Sequence, residues 1–105
     1  MFTGTENHEI SLEDASILTE RYRNQFSSTQ LFIKGEFFGK QAIQNLINEP
    51  NCVGIRIYYG LNENNIPKLV IVGVDSNEND LIQGSILDFG KLCPPACSNS
   101  NPLNS

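Results

Sequence analysis

The sequence predicts an α+β fold, with two helices packed on a small, mostly antiparallel sheet of three or four strands and an extended Pro/Asn/Ser-rich C-terminal tail. Three observations predict it. Residues 53–74 hold the densest β-branched and aromatic run and read as two strands around a polar turn. Two segments, residues 12–26 and 39–48, repeat apolar residues at three and four positions, as amphipathic helices do. After Gly90 the composition shifts to Pro, Asn and Ser, which leave little to bury. The division expected is residues 1–90 as one domain and 91–105 as the tail.

In the first helix Leu12, Ala15, Leu18, Tyr22 and Phe26 share one face, which must be buried for the helix to be stable. Ser11 with Asp14 three residues on resembles a capping box. Acidic Glu13 and Asp14 at the start and basic Arg21 and Arg23 near the end suit the helix dipole. Residues 27–30 form a polar linker, and Leu31, Phe32 and Ile33 read as a short strand. Gly39 opens a second helix with the stripe Ala42, Ile43, Leu46 and Ile47, stopped by Pro50.

The central pair is the core of the reading. Val53, Ile55, Ile57 and Tyr59 fall on one side of a pleated strand and are expected to be buried, while Gly54, Arg56 and Tyr58 fall on the other. Leu69, Val70, Ile71 and Val72 are apolar on both parities, as in an internal strand covered on both faces. Asn62, Asn64, Asn65 and Pro67 mark the turn between them. Residues 75–80 form a second polar turn, and residues 81–87, interrupted by Gly84, an edge strand or irregular segment.

A chain of 105 residues with 39% hydrophobic residues supports one folded domain. Its net charge of −5 opposes nucleic acid and anionic membranes as partners, and no basic patch offsets it. The start is acidic and polar, with no apolar run of membrane or signal length, so the expected location is cytoplasmic. Three cysteines do not make a secreted disulfide framework, and reduced thiols are expected.

Cys93 and Cys97 form a C-x3-C pair with Pro94 and Pro95 between them, which is not the redox C-x-x-C arrangement. With Cys52 and His8 they make a Cys3His set of the kind that holds zinc, although from distant segments without knuckle spacing. Simpler roles are buried or locally oxidisable cysteines and a solvated histidine. Asp75, Asn77 and Asn79 begin like a calcium loop, but Asp80 stands where glycine is required and Ile86 where a bidentate glutamate should close it. Gly35, Gly39 and Lys40 miss the phosphate-loop spacing, and Phe37 and Phe38 would crowd the cradle. Arg56 and Tyr58 share a strand face, as a recognition patch or as partners of a cross-strand acid.

Two stretches together carry a resemblance: Asn51, Cys52, Val53, Gly54, Ile55, Arg56, Ile57, Tyr58, Tyr59 and Gly60, and the Cys93 to Cys97 segment followed by Ser98, Asn99, Ser100, Asn101, Pro102 and Leu103. They resemble a group of short uncharacterised bacterial proteins with such a hairpin and a C-terminal CPPxC tail. The resemblance implies a small stand-alone bacterial protein and assigns no activity.

The function expected is therefore a non-enzymatic binding or self-assembling protein whose partner is protein, in the first place itself, with no cofactor. Its binding residues are Arg56, Tyr58 and Leu103, and the tail, anchored by Leu92 and Leu103, lies on its own sheet or a neighbour's. One alternative is a metal- or thiol-dependent protein using Cys52, Cys93, Cys97 and His8, with zinc as the metal. A second is a small enzyme whose site assembles in three dimensions from groups such as Arg56, Tyr58 and Asp75.

Overall fold

The computed structural model describes residues 1–26, 28 and 32–105. Its elements run α1 (Leu12–Phe26), β1 (Gly35–Phe37), α2 (Lys40–Ile47), β2 (Gly54–Leu61), β3 (Pro67–Val74), β4 (Ile86–Leu87) and β5 (Lys91–Cys93). The fold is α+β, and its strands divide into two antiparallel sheets, a three-stranded one ordered β2-β3-β4 and a two-stranded one of β1 and β5.

The β2–β3 hairpin pairs without interruption from Gly54 opposite Val74 to Leu61 opposite Pro67. Its loop is held by Asn62, whose side-chain oxygen accepts the N–H groups of Asn64 and Ile66 at 2.8 and 3.0 Å. Asn65 takes a positive φ of 63°, which asparagine tolerates better than most residues. Pro67, which has no N–H to give, stands at the first position of β3, where the ladder loses least. β3 is internal, as its two-sided apolar pattern predicts, and Ile71, Val72, Gly73 and Val74 are buried. Gly73 sits at a close approach: a Cβ there would lie 3.1 Å from Cys52 Sγ and 3.4 Å from Leu81 Cδ1, so those side chains would have to give way.

α2 lies against β3 and places Leu46 in the interior, fully enclosed. Gly39 and Asn48 bound it as expected. α1 begins as its sequence indicates, with the Ser11 hydroxyl accepting the Asp14 N–H at 2.9 Å. The buried stripe expected on it is not found. No residue of α1 is buried, and Leu12, Leu18, Tyr22 and Phe26 all stay exposed. Among the described residues its supports include Tyr22, stacked on Phe32 with ring centroids 5.6 Å apart, and Arg23, whose Nη1 donates to the Leu103 carbonyl at 2.7 Å.

The first strand is also corrected. It begins at Gly35, Phe32 and Ile33 lie outside it, and Leu31 lies outside the described residues. The partner sets its position, because β5 offers three residues and the Lys34 N–H, bonding the Cys93 carbonyl at 2.6 Å, leads into that ladder. Reduced thiols give way to a disulfide between Cys93 and Cys97, with Cα atoms 4.8 Å apart. The tail docks on its own chain through β5, through Arg23, and through Lys34 Nζ on the Asn104 carbonyl at 2.8 Å.

The interior is thin. Leu46, Ile71, Val72 and Val74 are the buried apolar side chains among the described residues. The radius of gyration is 15.3 Å, against about 13 Å for a compact chain of this length. The accessible surface is 7848 Å², where about 5,900 Å² is usual for this mass.

Candidate functional site

Part of the exposed apolar surface lies along β2. Of the strand's two parities, Ile55, Ile57 and Tyr59 were expected inside. They are exposed, with Ile57 at 46% and Tyr59 at 93%. The cause is the size of the cover. An eight-residue helix is about 12 Å long, while an eight-residue strand pair is about 27 Å long, and α2 spends its length on β3.

The backbone of β2 is open as well. Leu69 N–H donates to Glu36 Oε2 at 2.8 Å, and so points away from its β2 partner Tyr59. Gly73 likewise turns its carbonyl away, to the Leu81 N–H at 2.8 Å. Antiparallel pairs alternate between bonded and non-bonded, so Ile55, Ile57 and Tyr59 direct their own N–H and C=O groups outward. Among the described residues β2 has no strand on that side, since the sheet order ends with it.

The far edge of β3 is treated differently. Glu36 caps Leu69, β4 pairs with Ile71 and Val72, Leu81 bonds Gly73, and Asp80 bridges Val74. From Leu69 to Val74 that edge is covered in pieces, in the manner that keeps natural sheets from pairing with other chains. Glu49 braces the segment that does so, its Oε2 accepting the Ser85 N–H at 2.7 Å.

On the opposite face of β2 the structure brings together Arg56 and Tyr58, as expected, and adds Asp80. Arg56 Nη1 donates to Asp80 Oδ1 and the Tyr58 hydroxyl to Asp80 Oδ2, both at 2.5 Å. The hydrogen bond from Tyr58, with Arg56 beside it, holds the Asp80 carboxyl below its usual range. The bond to Asp80 holds the Tyr58 hydroxyl above its own. Asp80 is depressed, so its contribution is present above the ordinary carboxylate pKa and is lost as pH falls through the lower folded value. Tyr58 is raised, so its contribution is complete below about pH 10 and is lost as pH rises through its folded value. Between those limits the cluster is intact. Asp80→Asn is expected to remove the acid-side loss near and below pH 4, which thermal melts across pH would record, and an unchanged acid profile would show that Asp80 does not carry it.

The other expected site residues are dispersed. Leu103 lines a groove of about 330 Å³ with Leu18, Tyr22, Tyr59 and Leu69, so the apolar surface of β2 continues towards α1 and the tail. His8 lines a cavity of about 450 Å³ with Glu6, Gly54 and Arg56. Glu6 is occupied locally: the N–H groups of Thr3 and Gly4 bond its carboxylate and hold its pKa down to about 2. Cys93 and Cys97 are joined to each other, and Cys52 is a free thiol whose Sγ donates to the Gly54 carbonyl at 3.1 Å. Among the described residues no group of three or more His, Cys, Asp or Glu is placed to hold a metal ion. Asp75 caps its own turn, its Oδ1 accepting the Asn77 and Asn79 N–H groups. Asp80 was missed as a partner of the patch, and the hint was its position just after a turn that returns the chain to the hairpin.

No described helix is long and apolar enough to cross a membrane. Compared with known protein families, curated proteins and solved structures, the chain matches none.

Proposed function

We propose that the protein is a non-enzymatic interaction protein that receives an extended protein segment along the open edge of β2. One observation carries the reading: the sheet's far edge is covered in pieces from Leu69 to Val74, while the edge at β2 leaves outward N–H and C=O groups beside the exposed side chains of Ile55, Ile57 and Tyr59. A row of this kind binds by strand addition, with main-chain bonds giving affinity and alternate side chains giving selectivity. Arg56, Tyr58 and Asp80 stiffen β2 from behind, so the edge is presented as a straight template. Leu103 extends the apolar surface at the Tyr59 end. The Cys93–Cys97 bond suits an oxidising compartment, and in the cytoplasm expected from the sequence the same residues would stand as thiols.

The test uses a labelled extended peptide with apolar residues at alternate positions, followed by fluorescence anisotropy. Wild type is expected to bind it. Tyr59→Pro removes one outward donor without touching the bonds to β3, and is expected to weaken binding about tenfold. No binding at millimolar protein, or equal binding by the variant, would overturn the reading.

A further inference from the structure

We infer that the segment received is β2 of a second copy of this chain, paired antiparallel about a two-fold axis at Tyr59. The inference rests on the interaction reading above and names its partner. The outward groups of Ile57 and Tyr59 continue in register to Leu61, also exposed, at 67%. A two-fold axis at Tyr59 sets Ile57 against the second copy's Leu61, Tyr59 against the second copy's Tyr59, and Tyr58 against the second copy's Gly60. The segment has the same character from either end, an aliphatic residue, then Tyr59 at the centre, then an aliphatic residue. About a two-fold axis each contact is made twice, i with j and j with i, so every aliphatic–aliphatic match in this register counts for both copies. Each outward position meets an apolar one, and Tyr59 pairs with its own copy at the axis.

Charge selects the same surface. The chain carries 12 acidic and 7 basic residues, so two copies repel over most of their surfaces. β2 contains no acidic residue, and its one charge, Arg56, is held on the opposite face by Asp80. The axis is placed at Tyr59 and not nearer the start of β2 because the N-terminal segment flanks that end. A Cβ on Gly4 would lie 2.7 Å from the Val53 carbonyl, and Gly4, Glu6 and His8 line one cavity with Gly54, Ile55 and Arg56.

Area agrees with the assignment. The chain as a whole exposes roughly 2,000 Å² more than is usual for its mass, shared among β2, α1 and the tail, and a standard interface covers about 800 Å² of each partner. In the pair the two three-stranded sheets become one continuous sheet, and both open edges disappear.

The experiment combines light scattering over a wide concentration range with cysteine cross-linking of the full chain. A dimer in equilibrium with monomer is expected. At the axis, paired Cα atoms lie about 5.5 Å apart, within disulfide reach. Tyr59→Cys is therefore expected to form a covalent dimer under mild oxidation, with wild type as the blank for Cys52. Leu61→Cys is not, because its two copies stand about 14 Å apart. Tyr59→Lys, which keeps the backbone and sets like charges together, is expected to weaken the dimer about tenfold or more, with circular dichroism unchanged. A dimer that cross-links through Leu61→Cys and not Tyr59→Cys, or one indifferent to Tyr59→Lys, overturns the inference. So does a monomer at every concentration. If that monomer still binds the extended peptide, the interaction reading stands and only the identity of the partner falls; if it does not, both fall.

Discussion

Ile71→Ala is expected to cost about 2 to 5 kcal/mol, measured by urea denaturation at one fixed protein concentration. Ile71 is 3% exposed and sits at the middle of β3, paired with Ile57 on one side and Leu87 on the other. Neither neighbour can close the space left behind, since each is held in its own strand. A large aliphatic side chain removed from such a site loses its transfer energy and leaves a cavity. The consequence is unusually severe here, because Ile71 is one of four buried apolar side chains among the described residues. Domains of this size hold about 5 to 15 kcal/mol in total, and a thin interior places this one towards the lower end. Val70→Ala, a half-buried neighbour on the other parity, is expected to cost less. A loss below about 1 kcal/mol for Ile71→Ala would show that β3 is not internal.

The parts of the fold that could be read from the sequence are those that local chemistry determines. The hairpin and its Asn62 turn, the Ser11 cap and the bounds of α2 all rest on residues within a few positions of one another. β3 was legible as the central strand because only burial on two faces explains apolar residues on both parities. The faces of β2 and α1 were not legible. An apolar stripe states which side seeks cover, but not whether the chain has enough material to cover it, and here α2 reaches β3 and no further. The same pattern that reads as a core face in a larger domain therefore becomes an exposed edge in this one. β1 was misplaced for a related reason. A three-residue strand has no signature of its own and takes its position from β5, over fifty residues later. Arg56 and Tyr58 were legible as a pair by their parity, whereas Asp80 reaches them only because the turn at Asp75 carries it back along the sheet.

Leu46→Ala is expected to cost a similar 2 to 5 kcal/mol, and to do something Ile71→Ala does not. Leu46 is 0% exposed and is the only residue of α2 that is buried, since Ala42 and Ile43 are half-covered and Ile47 is exposed. An eight-residue helix is too short to be stable by itself, so its place on β3 depends on that one side chain. Beyond α2 the chain turns through Glu49, whose carbonyl accepts the Cys52 N–H at 3.1 Å, and returns to the sheet with the Cys52 thiol close over Gly73. When α2 lifts away, that half-buried thiol becomes fully accessible before the hairpin itself opens, a local unfolding with a smaller free energy than the global one. Alkylation of Cys52 is therefore expected to accelerate tenfold for each ~1.4 kcal/mol lost from the local opening. Cys93 and Cys97 stay silent in the same assay, because their sulfurs are joined. Ile47→Ala, on the exposed side of the helix, serves as the control and is expected to leave the labelling rate near that of wild type. If Leu46→Ala loses stability without faster labelling, α2 leaves only when the whole sheet unfolds; if it loses less than about 1 kcal/mol, the helix is held by something other than Leu46.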